Sequence, residues 1–75
     1  MEATCITYDK HLLVQFDELL KDGEIIIKNS DNKILHKQRI QNKNFTMIEL
    51  KEEIAQLSIE ILDHTNKDKK TVQTI

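Results

Sequence analysis

The sequence predicts an all-β protein, a small immunoglobulin-like sandwich of about seven short strands. Short runs of alternating apolar and polar residues recur at intervals of roughly 8–12 residues, a spacing typical of such sandwiches. Two of these runs, within residues 23–40, flank the polar turn Asn29–Asn32 and have the form of a β-hairpin. The chain contains one glycine and no proline, so we expect asparagine, aspartate and lysine to form its turns.

Each predicted strand is defined by a period-two pattern. The strands are Thr4–Tyr8, His11–Asp17, Glu24–Lys28, Ile34–Ile40, Phe45–Leu50, Leu57–Leu62 and Thr71–Ile75. The apolar side chains expected in the core are Val14, Phe16, Ile25, Ile27, Ile34, Ile59 and Ile61. Because asparagine adopts positive φ more readily than most residues, we expect Asn32 to take that conformation in a tight hairpin turn.

A helical alternative remains open at this point, an α+β domain with the order helix, hairpin, helix. Leu12, Leu13, Phe16, Leu19 and Leu20 would share one helical face, as would Met47, Leu50, Ile54, Leu57 and Ile61. Two observations favour strands instead: residues 58–62 contain two isoleucines, and residues 13–15 offer no polar helical face. We therefore expect Glu49–Gln56 to be a loop or at most one helical turn, although its residues favour helix.

A chain of 75 residues allows a single small domain, residues 1–75. Its net charge is −2, but the charges fall in blocks of alternating sign. The basic block, residues 33–43, contains no acid, and its four cations form the predicted interaction surface: Lys33, Lys37, Arg39 and Lys43. We expect the acidic block at residues 44–63 to be its intramolecular complement.

No catalytic, cofactor-binding or metal-binding set is predicted, so the chain is not expected to be an enzyme. Cys5 and the three histidines, His11, His36 and His64, match no compact zinc spacing. Cys5 has no neighbouring base that would activate it as a nucleophile. The acids near Lys51 have the pattern of a hydrated surface rather than that of a buried pair for acid–base catalysis.

The order of the runs resembles a known family. Leu12–Phe16, Gly23–Asn29 and Asp31–Leu35, followed by Ile48–Leu50 and Leu57–Ile61, are similar to segments of the small immunoglobulin-like β-sandwich domains of Bacteroidetes. These domains include the C-terminal sorting domains of type IX secretion and short secreted Bacteroides proteins of unknown function. The resemblance covers residues 6–75 and implies export to the periplasm, the cell surface or the exterior. It implies no functional residues, because the family patterns concern fold and sorting.

The expected function is that of a non-catalytic protein-interaction module. It would bind an unidentified protein through its loops or through a strand added at an open sheet edge, and such edges also allow homo-oligomers. The alternative is an intracellular α+β regulator or inhibitor that binds another protein. Nucleic-acid binding through the basic block is less favoured, because Phe45 is the one aromatic residue near it. Membrane insertion is not expected, since no apolar run could span a bilayer; apart from the resemblance, the chain is expected to be cytoplasmic.

Overall fold

The computed structural model describes residues 2–51 and 56–73, which form a curled antiparallel sheet of five strands. The strands are β1 (Ala3–Tyr8), β2 (His11–Lys28), β3 (Ile34–Glu49), β4 (Ser58–Asp63) and β5 (Asp68–Gln73). The predicted all-β class is confirmed. Residues assigned to helices in the α+β alternative lie in β2, β3 and β4 instead, apart from Leu50 and Leu57, which lie between β3 and β4, and Ile54, which is outside the described residues. Half of the expected loop at Glu49–Gln56, residues 52–55, lies outside the described residues, and Glu49 itself is the last residue of β3.

Five strands are present rather than seven, because two pairs of predicted strands are each continuous. Strand β2 includes the predicted strands at 11–17 and 24–28, and β3 includes those at 34–40 and 45–50 up to Glu49. Within β2 and within β3, the chain bends between the two predicted strands without a turn. At the bend, four residues of β2, 16–19, lie opposite Asn44 alone, and Asn42 has a φ of 54°. A bulge of this kind bends a strand without ending it, so the alternating pattern is interrupted but the strand continues.

Strand β2 is the centre of the sheet. Its first part, residues 11–16, pairs with β1 on one edge and with the end of β3 on the other. Its last part, residues 23–28, pairs with β4 on the edge used by β1 and with the beginning of β3 on the other. Strand β5 pairs with β4, and the curl of the sheet brings it near β1, where Lys70 Nζ lies 3.6 Å from Glu2 Oε2. The two halves of the sheet therefore face each other across one core.

The core consists of the side chains on the concave face. The buried apolar residues are Leu12, Val14, Phe16, Leu20, Ile25, Ile27, Ile40, Ile48, Leu50, Leu57, Ile59 and Ile61. Six of the seven predicted core residues are among them. The prediction for Ile34 is wrong, since its side chain is 54% exposed. A register shift between Ile27 and Lys28 puts Ile34 opposite Lys28, and a shift of one residue moves a side chain to the other face of a sheet.

The hairpin turn between β2 and β3 agrees with the sequence prediction. Asn32 has a φ of 63°, and its backbone N–H donates to the carbonyl oxygen of Asn29 at 3.1 Å. The side chain of Asn29 supports the turn, because its Oδ1 accepts hydrogen bonds from the backbone N–H groups of Asp31 at 2.9 Å and Lys33 at 3.0 Å. An asparagine in this role replaces a peptide acceptor within the loop.

Gly23 is required by close packing rather than by an unusual backbone conformation. It lies in β2 between Ile40 of β3 and Asp63 of β4. A Cβ at this position would overlap the carbonyl oxygen of Leu62 and would lie 2.9 Å from Cδ2 of Leu20. The absence of a side chain therefore lets β4 approach β2, which completes the second half of the sheet.

Candidate protein-interaction surface

The convex side of the first half of the sheet is formed by β1 and the adjoining parts of β2 and β3. Its outward side chains stand in three cross-strand rows, which are Tyr8–His11–Glu49, Ile6–Leu13–Met47 and Thr4–Gln15–Phe45. We call the five apolar or aromatic members the outer apolar face: Ile6, Tyr8, Leu13, Phe45 and Met47. Side chains directly opposite each other in such rows are in contact distance, so these five form one continuous patch.

The outer apolar face is open to solvent. The exposed fractions are 51% for Ile6, 81% for Tyr8, 55% for Phe45 and 62% for Met47. One end of the outer apolar face is polar, because His11 and Glu49 lie there, with His11 Nε2 3.7 Å from Glu49 Oε2. A contiguous apolar patch with a polar rim is typical of a protein contact surface.

The convex side of the second half of the sheet has the opposite character, because ion pairs cover it. Glu24 is at the centre: its Oε1 lies 3.0 Å from His64 Nε2, and its Oε2 lies 3.5 Å from Lys37 Nζ. The hydrogen bond from His64 is the main cause that lowers the pKa of the Glu24 carboxyl, and the charge of Lys37 adds to it. Glu60 of β4 likewise lies near two cations on this face: its Oε1 is 3.2 Å from Lys28 Nζ and 3.7 Å from Lys69 Nζ.

The four cations predicted as an interaction surface do not form one ridge. Lys37 and Arg39 lie on the ion-paired face, where Arg39 Nε is 3.2 Å from Asp22 Oδ1. Lys33 belongs to the hairpin turn, and Lys43 lies beyond the bend at Asn42. The expected acidic complement is also wrong for Lys37 and Arg39, because their partners come from β2 and not from residues 44–63. Strand pairing decides this, since β3 lies beside β2 along its whole length.

A concavity lies along the edge of β3 at its bend. Its volume is about 430 Å³, and its lining includes Leu19, Gln38 and residues 42–47. Consecutive residues of a strand point to opposite faces, so a concavity lined by six in a row lies at the strand's edge. Inside the bend, Gln38 Nε2 donates to Thr46 Oγ1 at 3.0 Å. That contact joins two residues eight positions apart and fixes the bend.

Neither a second concavity nor Cys5 has side chains arranged for catalysis. A second concavity of about 390 Å³ lies at the end of the hairpin and is lined mainly by polar residues, among them Asn29, Ser58 and Gln73. Burial raises the pKa of the Cys5 thiol, which disfavours the reactive thiolate. Within residues 2–51 and 56–73, no three His, Cys, Asp or Glu side chains are grouped in a way that could hold a metal ion. The same residues include no helix long and apolar enough to cross a membrane.

The sequence analysis missed the outer apolar face, although a signal for it is present. In the run Phe45-Thr46-Met47-Ile48, apolar residues occupy both sides of the strand, and the run Thr4–Tyr8 carries Ile6 and Tyr8 on the side opposite Cys5. A strand with water on one face needs apolar residues on the other face alone. Apolar residues on both sides of neighbouring strands therefore indicate a second contact.

Comparisons with known proteins do not assign this surface. No protein-family model and no curated protein matches the chain.

Proposed function

We propose that this protein is a non-catalytic protein-interaction module and that the outer apolar face is its contact surface. The exposure of four large side chains, Ile6, Tyr8, Phe45 and Met47, on one rigid three-stranded surface carries this proposal. Such side chains lose contact with water when a partner covers them, and each can contribute about 1.5–3 kcal/mol when fully buried. Aromatic residues and methionine are also enriched at protein contacts.

The charged residues support a protein partner rather than a nucleic acid. Lys37 and Arg39 already have carboxylate partners in Glu24 and Asp22. Phosphate contacts would have to replace these ion pairs, which reduces the gain from each cation. The five members of the outer apolar face carry no charge, and at their polar end His11 lies beside Glu49.

Site-specific photo-crosslinking in cells tests the proposal. A benzoylphenylalanine introduced at Phe45 should give discrete protein adducts on irradiation, because its side chain points into the contact. The same group at Thr71, an exposed residue of β5 outside the outer apolar face, should give none. Equal adduct patterns at both positions, or no adduct at Phe45, would contradict the proposal.

Export is a further part of the proposal, and the resemblance to the immunoglobulin-like domains of Bacteroidetes supports it. An exported adaptor of that class would display the outer apolar face to another surface protein. Fractionation of cells that express the natural gene tests this part. The protein should be found in the periplasm, at the surface or in the medium, and its retention in the cytoplasm would leave an intracellular adaptor with the same contact surface.

A further inference from the structure

We propose that a second copy of the chain binds at the β3 edge of this surface, where it pairs antiparallel with β3 between Lys43 and Glu49. This inference rests on the proposed function and names its partner. It joins two outer apolar faces into one six-stranded convex surface. Three features support the pairing: the edge of β3, the size of the outer apolar face and the order of the side chains between Lys43 and Glu49.

The edge of β3 that faces away from β2 is open for pairing. Within residues 2–51 and 56–73, β2 is the strand that pairs with β3, and it lies on one edge of β3. Every second residue of such a strand directs its N–H and C=O groups away from the sheet. In the part of the chain that the structure describes, no second strand lies along this edge of the 16-residue β3, and such an edge is a template for another strand.

The outer apolar face is too small to hold a partner by itself. Three strands spaced about 4.8 Å apart and five residues long have a footprint of roughly 250 Å². A stable protein interface buries about 800 Å² on each partner. Main-chain pairing at the adjoining edge adds surface and hydrogen bonds, and it extends the outer apolar face into that of the second copy.

One register makes this edge complementary to itself. A two-fold axis perpendicular to the sheet at Thr46 brings Phe45 opposite Met47 of the second copy, and Met47 opposite Phe45. The same axis brings Glu49 opposite Lys43 of the second copy, and this attractive pair also occurs twice. Aromatic–methionine contacts and opposite charges are both favourable cross-strand pairs.

Registers of β3 with itself that are centred between residues 37 and 41 are less favourable. Side chains on the convex face of one copy must lie opposite side chains on the convex face of the other. This condition is met when the two-fold axis passes through a residue, and it is not met when the axis passes between two residues. An axis at any residue from 37 to 41 places two basic side chains opposite each other, for example Lys37 and Lys43 when it passes through Ile40. Like charges in direct opposition destabilise a strand pair. The segment beyond the bend is therefore the part of β3 suited to pairing with its own copy.

Charge exchange across the axis tests the proposal. Sedimentation of the whole chain, from micromolar to millimolar concentration, should show a monomer–dimer equilibrium. Glu49→Lys should weaken dimerisation roughly ten-fold, because two attractive pairs become repulsive. Lys43→Glu should have the same effect, and the double variant K43E/E49K should recover the wild-type dissociation constant, since it restores both pairs with their signs exchanged.

Lys33→Glu is the matched control, since it makes the same charge change in the hairpin turn and should leave dimerisation unchanged. Circular dichroism and thermal melting confirm that each variant is folded. A wild-type chain that stays monomeric up to millimolar concentration overturns the proposal, as does a double variant as weak as the single ones. If the chain is monomeric but benzoylphenylalanine at Phe45 still captures another protein, the second copy is excluded as partner and the interaction module remains.

Discussion

Gly23 shows how a single missing side chain determines the packing of two strands. We expect Gly23→Ala to lower the free energy of unfolding by roughly 1–3 kcal/mol, because the new methyl group must displace the backbone of β4 at Leu62. Chemical denaturation of the variant and of the wild type measures the difference. Gln41→Ala, an exposed change in β3, is the control and should stay within about 0.5 kcal/mol. A Gly23→Ala protein as stable as the wild type would show that β4 can move away without cost.

Asn32 allows a test of the positive φ in the hairpin turn. We expect Asn32→Gly to be neutral or slightly stabilising, because glycine adopts this conformation without steric cost. Asn32→Val should cost about 1 kcal/mol or more, because a β-branched residue is strained there. The measurement is the denaturation midpoint of the two variants. Equal midpoints would argue against a tight turn at this position.

The carboxyl groups of Asp63 and Glu24 should titrate independently of each other at low pH. The hydrogen bond from the Asn66 side chain is the main cause that lowers the pKa of Asp63, and the backbone N–H groups of Asn66 and Thr65 add to it. For Glu24 the main cause is His64. We expect Asn66→Ala to raise the pKa of Asp63 alone and His64→Ala to raise that of Glu24 alone. Carboxyl carbon shifts followed by NMR measure both values.

The sign of the pH effect on stability follows from these shifts. An Asp has a pKa of about 3.9 in an unfolded chain. Since folding lowers the pKa of Asp63, its contribution to stability is present above that value and is lost as the pH falls through the folded pKa. Asn66→Ala should therefore reduce the acid sensitivity of the melting temperature. An unchanged slope of melting temperature against pH would show that this turn does not couple to unfolding.

At the scale of single residues, the sequence could predict the conformation or burial of residues whose environment is formed by near neighbours along the chain. The turn at Asn32 and the burial of Ile25 and Ile27 depend on neighbours along the chain, and these predictions are confirmed. Ile34 depends on a register shift between β2 and β3, which no periodicity within one strand can indicate. The prediction for Ile34 is wrong for that reason.

At the scale of elements, the pair formed by Ile27 of β2 and Ile59 of β4 joins two strands across the core. Both side chains are fully buried and directly opposite each other. We expect Ile27→Ala and Ile59→Ala each to cost roughly 2–4 kcal/mol, because each leaves a cavity. The double variant should cost less than the two together, by about 0.5 kcal/mol or more, because the two cavities merge.

Ile34→Ala is the control for this pair, since the exposed Ile34 should contribute within about 0.5 kcal/mol. Denaturant unfolding of all four variants supplies the values. Exact additivity of the Ile27 and Ile59 variants would mean that the two side chains do not share a cavity. A large loss on Ile34→Ala would indicate that its exposed side chain has a contact elsewhere.

The number of elements was harder to predict than their type. Alternation identifies an extended backbone, and each described strand overlaps at least one predicted strand segment, although residues 18–23, 41–44 and 68–70 of the strands were not predicted. Alternation does not distinguish a turn from a bulge, since both interrupt the pattern, and so β2 and β3 were each predicted as two strands. The outer apolar face was missed at the same scale, because it arises only when β1, β2 and β3 lie side by side.

At the scale of the whole molecule, the charges largely neutralise each other across β2 and β3. We therefore expect no gel shift of single-stranded or duplex oligonucleotides at micromolar protein and physiological salt. Free phosphate-binding cations would give a shift that weakens steeply as salt rises. A salt-sensitive shift that disappears in a Lys37→Ala, Arg39→Ala double variant would show that these side chains leave Glu24 and Asp22 to bind nucleic acid.

The central position of β2 has a consequence for how the chain folds. Its 18 residues supply a strand to each half of the sheet, and the core side chains of one half rest on those of the other. Among the described strands, neither half retains a complete sheet without β2. We therefore expect folding to be a single cooperative transition, which brings β1 to the beginning of β2 and β4 to its end within the same event.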